Sequence, residues 1–384
     1  MKTILPVCLS LLLLTAAFAK TPVKDHPEKQ AINDTPRIQV AVLLDVSNSM
    51  DGLIEQAKTQ LWSMVETLGK ASCQGLRPKI EIALYEYGRP GNGAAKNFIK
   101  QIRPFTTDLD ELSAELFKIR TDGGDEYCGA VMVQALNELA WDADQNLYKV
   151  IFIAGNESFK QGSIDYTEAC KIAKQKGVVL NTIYCGDYQT GITEFWNLAG
   201  QCGSGTYSNI NQDAKMENIP APQDSFIYAL NTKLNGSYVT YNSMGKKKMG
   251  LQAGMDLANN AAGYAVGVQR ASVKAKSNTY TNTSWDLVDA YNADSTIVTK
   301  LDKKFLPDEV KDKSNEEIKR FVEEKNTERG VIQKQITSLV EERGKYIAKV
   351  RAEQATRTTG QTLENTIQTL IRSQAGRFHI SFDK

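Results

Sequence analysis

A doubly wound α/β fold, with a mostly parallel sheet covered by helices on both faces, is predicted by three features of this chain. The run Arg37-Ile-Gln-Val-Ala-Val-Leu-Leu-Asp45 has almost no polar alternation, which marks a central strand buried on both sides. Further apolar strands are readable at residues 79–85, 97–102, 149–154 and 178–184, interleaved with amphipathic helical stretches at 53–68, 109–119, 130–141, 166–175 and 192–199. Asp45, Asn156 and Asp187 each fall just past the end of a strand, so three polar residues are expected on one edge, where open α/β sheets bind their ligands.

The first strand delivers Asp45-Val-Ser47-Asn48-Ser49 at its carboxyl end. One carboxylate and two hydroxyls are hard oxygen donors suited to Mg²⁺ or Mn²⁺. Neutral hydroxyl ligands leave a cation electrophilic, with a position open to water or to an acidic side chain offered by a partner. The plainer alternative is a strand-to-helix turn in which Ser49 or Asp51 caps a helix beginning near Leu53.

Asp-x-Ser-x-Ser after a buried strand resembles the metal-ion-dependent adhesion site (MIDAS) of von Willebrand factor type A (VWA) domains, which adds a distant Thr and a distant Asp. The resemblance covers residues 36–212 and implies the doubly wound fold, a divalent ion and a protein partner. In the glycine-rich loop Thr121-Asp-Gly-Gly-Asp125-Glu126-Tyr127-Cys128, Asp125 or Glu126 stands in place of the family's Thr. After the strand at 149–154 the chain reads Gly155-Asn156-Glu157, so Asn156 stands where the family has Asp. The metal set implied is Asp45, Ser47, Ser49, Asp125, Glu126 and Asn156. Asn48, Tyr127, Glu157 and Asp187 are the neighbours expected to meet a partner.

Competing chemistry is poorly served. A phosphatase of the haloacid dehalogenase type needs a second Asp where Ser47 stands. The glycine-rich run of residues 88–96 lacks the Lys-Ser/Thr pair of a phosphate-binding loop. The only histidines, His26 and His379, lie outside the α/β region, which disfavours histidine triads and zinc catalysis. No catalytic constellation is recognisable. A metal-dependent hydrolase would have to take Glu157 or Asp187 as its base, and a structural protein with an empty site would have to interact through its tail.

Lys2, the apolar run of residues 4–17 and Ala17-Phe-Ala19 describe a secretory signal peptide over residues 1–19. A linker to residue 35 follows, and the expected location is periplasmic or secreted. No later segment approaches the ~20 apolar residues of a membrane span. With 46 basic and 45 acidic residues, charge offers nothing to recruit nucleic acid. Removal of the signal leaves Cys73, Cys128, Cys170, Cys185 and Cys202, an odd number whose connectivity sequence leaves open; Cys185 and Cys202 could close a short loop. Cys128 is expected to be structural rather than a ligand.

The VWA segment is assigned to residues 36–218 and a mainly helical region to 219–384, with Pro220-Ala-Pro222 at the boundary. Residues 250–273 are expected to form one helix packed through small residues. Ser314-Asn-Glu-Glu317 is a capping box for a long charged helix over about 314–351. Its heptad seam is interrupted by Lys325, Arg329 and Arg343, leaving three readings: a coiled-coil homo-oligomer, a helical hairpin, or a helix docked on the α/β part.

Overall fold

The computed structural model describes residues 35–214, 218–353 and 362–382, and by their contacts residues from Thr35 onward cluster into one compact unit. The signal-peptide assignment, 1–19, and all of the 20–35 linker except Thr35 lie outside the described residues.

Six strands form the main sheet: β1 (Arg37–Asp45), β3 (Lys79–Tyr87), β4 (Lys100–Thr106), β5 (Tyr148–Gly155), β6 (Val178–Cys185) and β7 (Tyr207–Ile210). Their order is β4-β3-β1-β5-β6-β7, parallel throughout except for antiparallel β4. Short β2 (Ala71–Cys73) pairs elsewhere, with β8 (Ile380–Phe382). Without β2 this is the doubly wound order 3-2-1-4-5-6, whose direction of winding reverses between β1 and β5.

Alternation along the strands supplies both faces. Ile38, Val40, Leu44, Val150, Phe152 and Ile183 point into one core with α1 (Asp51–Gly69) and α2 (Leu109–Lys118). Ala41, Leu43, Tyr85, Ile151, Ile153 and Leu180 point into the other with α3 (Cys128–Glu138), α4 (Tyr166–Lys176), α5 (Tyr188–Thr193) and α6 (Trp196–Cys202). Local chemistry sets the helix ends: Asp108 and Asp165 cap α2 and α4 by accepting from Glu111 N and Thr167 N, and Gly177 ends α4 at φ +66°.

The remaining helices are α7 (Asp224–Asn235), α8 (Gly245–Ala262), α9 (Tyr264–Lys274), α10 (Leu287–Ala293), α11 (Asn315–Glu353) and α12 (Leu363–Ala375). α12 returns to the sheet, packing on α1. There Gln374 exchanges hydrogen bonds with Asn181 of β6, at 2.7 and 3.1 Å, and accepts one from Tyr148 of β5 at 2.9 Å. The helical region therefore shares the sheet's core, and its last helix completes one of the two covering layers.

Several expectations change in detail. β4 begins at Lys100 rather than residue 97, because Asn97 and Phe98 both take left-handed backbone, at φ +51° and +59°. The single helix at 250–273 is two, broken at Gly263, whose φ of +145° no L side chain favours. Phe195, at φ +68°, similarly divides 192–199 between α5 and α6. The disulfide joins Cys170 to Cys202, leaving Cys185 buried and free, as is Cys128.

The capping box of α11 forms, with Ser314 N donating to Glu317 Oε2 at 2.9 Å and Glu317 N to Ser314 Oγ at 3.3 Å. Its seam is covered within the chain by α7, α9 and α10. Two of the three basic residues that interrupt the heptads are where the seam meets acids of other segments: Arg329 pairs with Asp286 and Asp289, and Arg343 with Asp224, while Lys325 pairs with Glu328 of α11 itself. Burial of that seam consequently requires no second copy. No helix among the described residues is long and apolar enough to cross a membrane.

Candidate metal centre

Asp45 closes β1 and is fully buried, while Ser47 is 4% exposed and Ser49 is exposed. The turn is drawn tight by Ser47 N donating to Asp45 Oδ1 at 2.8 Å and Met50 N to the Ser47 carbonyl at 3.0 Å. Neither serine hydroxyl caps the helix that follows, and α1 starts at Asp51 without a side-chain cap. The hydroxyls instead lie together, 3.3 Å apart, and Asn156 Nδ2 donates to Ser49 Oγ at 3.2 Å. The loops after β1 and β5 thus meet where the sheet's winding reverses, the position at which such sheets open a ligand crevice.

Of the two acids left open by the sequence, the structure brings Glu126 inward and turns Asp125 out. Asp125 is exposed and accepts from Tyr127 Oη at 3.3 Å. Glu126 is 6% exposed and its backbone N–H is held by Gln161 Oε1 at 2.6 Å. Room for it comes from Gly88, at φ +86°, where a Cβ would lie 2.9 Å from Glu126 Cγ and 3.1 Å from Asp45 Oδ1. Gly155 serves Asp45 the same way, since a Cβ there would come within 2.8 Å of Asp45 Oδ2 and nearer still to the Tyr87 hydroxyl. Gly88, Gly155 and Gln161 were not foreseen. The signal for Gly88 lay in a glycine-rich stretch that reads only as a connecting loop, and a glycine's neighbours are invisible before the strands are paired.

Around these residues, Asn48 is exposed and its side chain lies over Gly123. Thr121 Oγ1 bonds Asp51, and Asp122 N donates to the Val46 carbonyl at 2.8 Å, tying the α3 loop to the β1 loop. Tyr127 stacks edge-on against Phe98 at 5.6 Å. Glu157 is half-buried and acts electrostatically on both Asp45 and Glu126. Asp187 is spent differently: exposed, it caps α5 by accepting from Gln189 N and Thr190 N, both at 2.9 Å, which pulls its carboxyl below the usual range. Cys128 is buried with its thiol 3.8 Å from the Tyr87 hydroxyl and pushed well above its ordinary pKa by burial, consistent with a structural role.

The electrostatics of the cluster are one-sided. Burial raises Asp45 to about 6, with Ser47 and the Asn156 backbone pulling it down and Glu157 adding to the rise. Burial raises Glu126 to about 7, reinforced by Asp45 and Glu157. Neither carboxylate is ion-paired to a basic residue among the described residues, and Asp45 Oδ2, buried, has no hydrogen-bond partner. Buried carboxylates in this state need a proton or a cation. The donors Asp45, Ser47, Ser49, Glu126 and Asn156 are all hard oxygens, so they fit Mg²⁺ or Mn²⁺. No group of three His, Cys, Asp or Glu side chains among the described residues is close enough to hold an ion alone, so the serine and asparagine oxygens are needed to complete a set.

A pH dependence follows for the metal-free protein. Both groups have folded values above their ordinary 3.8 and 4.5, so between about 4 and 7 the folded chain keeps protons the unfolded chain has released, and stability falls as pH rises through that window. Asp45→Asn, which cannot ionise, is expected to remove on the order of 3 kcal/mol from that fall. Urea denaturation at intervals from pH 4 to 8, with a chelator present, reads the difference; parallel curves for the two proteins would contradict it.

No family model and no curated protein matches the sequence. Among solved structures the chain is similar to the SpRpn10 VWA domain, at 14% identity over 45% of this chain and 88% of that one, with a TM-score of 0.35. It is similar to proximal thread matrix protein 1 from the mussel byssus, at 13% identity over 46% of this chain and 42% of that one, TM-score 0.33. It is also similar to an aerotolerance-related membrane protein from Bacteroides fragilis, at 15% identity over 46% and 93%, TM-score 0.30. The chain thus spans under half the length of the mussel protein. Likenesses at these scores carry no argument; strand order and register within the chain itself give it a doubly wound, mostly parallel α/β fold with a helical carboxyl-terminal region.

Proposed function

We propose that this chain is an extracytoplasmic binding or assembly module that holds Mg²⁺ or Mn²⁺ at the carboxyl edge of its sheet and engages a protein partner there. The observation that carries the reading is the pair of buried carboxylates Asp45 and Glu126, without a basic partner among the described residues and set beside two hydroxyls that the helix start leaves unused. Asp45, Ser47, Ser49, Glu126 and Asn156 would hold the ion, which when bound supplies a Lewis-acidic centre able to take an oxygen ligand. Asn48, Tyr127 and Glu157 rim that edge and are the side chains a partner would touch. Asp125 and Asp187 stand outside the ligand set in this reading. A hydrolase at the same edge has less support, because Asp187, one of the two bases it would have to take, is committed to its helix cap.

The test is metal-dependent stability. An ion that binds only the folded chain raises stability by about 2.7 kcal/mol at a hundredfold excess over its dissociation constant. Mn²⁺ and Mg²⁺ are expected to raise the melting temperature of the wild-type protein and to leave Asp45→Ala unchanged. Equal shifts in both proteins, or none in the wild type, would overturn the assignment.

A further inference from the structure

The resemblance that suggests a metal also suggests that the ion captures an acidic side chain from a partner, and one residue of this chain argues against that second step. Where the family pattern has a neutral threonine hydroxyl, Glu126 brings a carboxylate. It is not a surface acid that happens to lie nearby: it is 6% exposed and lies with Asp45 against the bare backbone of Gly88. Gln161 fixes the backbone from which it projects.

Charge decides what such a site accepts. Asp45 and Glu126 together carry two negative charges, equal to the charge of one divalent cation, and Glu157 adds to the negative field. No basic side chain among the described residues ion-pairs with either buried acid. An incoming carboxylate would therefore meet an already neutralised centre in a partly enclosed, low-dielectric place, where an excess anion is costly. With only Asp45 present, the same cation would keep a positive charge and favour an exogenous anion.

On the metal reading above, we propose that Glu126 is the specificity-determining ligand of this edge: it compensates the cation from within the chain, so the site excludes carboxylate-bearing ligands and admits a neutral oxygen, such as water, a hydroxyl or a carbonyl. The partner is then recognised by the surrounding loop side chains rather than by an acid placed on the ion.

Calorimetric titration with Mn²⁺ tests this, using the wild type, Glu126→Thr and the near-isosteric Glu126→Gln, each in sodium chloride and in sodium acetate of equal ionic strength. The wild type is expected to bind Mn²⁺ with an affinity that acetate does not improve. Both variants are expected to bind at least about tenfold more weakly in chloride, as loss of one charged ligand implies, and acetate should recover part of that loss in Glu126→Thr. Wild-type affinity retained in both variants, or acetate tightening wild type and Glu126→Thr alike, would overturn the role of Glu126 while leaving the metal assignment standing. No Mn²⁺ binding by the wild type would overturn both. Melting curves of the metal-free variants separate loss of a ligand from loss of fold.

Discussion

Arg270→Ala is expected to lower stability by about 3–5 kcal/mol, the cost of leaving a buried charge partner alone, and the melting temperature by on the order of 10 °C. Arg270 is 1% exposed and lies over the Trp62 ring at 4.6 Å. It donates to Asp256 Oδ1 at 2.5 Å, Asp110 Oδ1 at 2.7 Å and the Gln252 carbonyl at 3.0 Å. The three partners come from α8 and from α2, so one guanidinium joins the helical region to the layer covering the sheet. Lys274, fully buried, still reaches Asp256 at 2.8 Å after the substitution, whereas Asp110 keeps only the Tyr280 hydroxyl. Removing that stranded acid as well, in Arg270→Ala/Asp110→Ala, should recover part of the loss. Thermal and urea unfolding of both single variants, Arg270→Ala and Asp110→Ala, and of the double variant measure the coupling; additive losses would mean that the pair contributes no interaction of its own.

Arg329→Ala is the second large effect, again about 3–5 kcal/mol. Arg329 binds Asp286 and Asp289 at 2.8 Å each, donates to the Ser237 carbonyl at 2.8 Å, and lies 4.1 Å from the centroid of the Tyr238 ring. The substitution leaves two neighbouring buried acids without their cation. In the wild type Asp289 already stands at about 6, raised by burial and by Asp286, with Arg329 pulling it down. Without Arg329 its folded value rises further above the ordinary 3.8. The folded variant then binds protons that the unfolded chain has released, so stability falls as pH rises. The deficit relative to wild type should be smaller at pH 5 than at pH 8, and urea midpoints at the two values provide the check. A deficit independent of pH would show that lost packing on Tyr238, not stranded charge, is responsible.

What the sequence made legible was local. Residues 37–45 read as a doubly buried strand because every position between Arg37 and Asp45 except Gln39 is apolar, and the motif behind it could be placed at the sheet's edge before any pairing was known. The capping box at Ser314 and Glu317 was equally plain, since its reciprocal bonds span only three residues. Pairings between distant segments were not legible. Whether Asp125 or Glu126 faces Asp45 depends on Gly88 and Gln161, which lie on two other loops. Arg329 and Arg343 in the α11 seam looked like defects in a coiled coil because their acids, Asp286, Asp289 and Asp224, sit far away in the chain. β7 was missed because four half-polar residues at a sheet edge carry little pattern, and the break at Gly263 because the small residues on either side suit a helix equally well.

The return of α12 to the sheet has a consequence for how the molecule comes into being. During synthesis β1 and its motif emerge early, but the Gln374 side chain that satisfies Asn181 and Tyr148 inside the core, and the strand that pairs with β2, emerge about two hundred residues after β6. Until then the layer covering one face of the sheet, α1 and α2, lacks its last helix, and the buried Tyr148 hydroxyl lacks its acceptor. Contacts this distant along the chain slow folding, and a nascent chain with exposed apolar surface is prone to aggregate. The loops that carry Asp45 and Glu126 are thus made well before the helix that completes the cover of the sheet behind them, so the edge forms on a layer still short of its final helix.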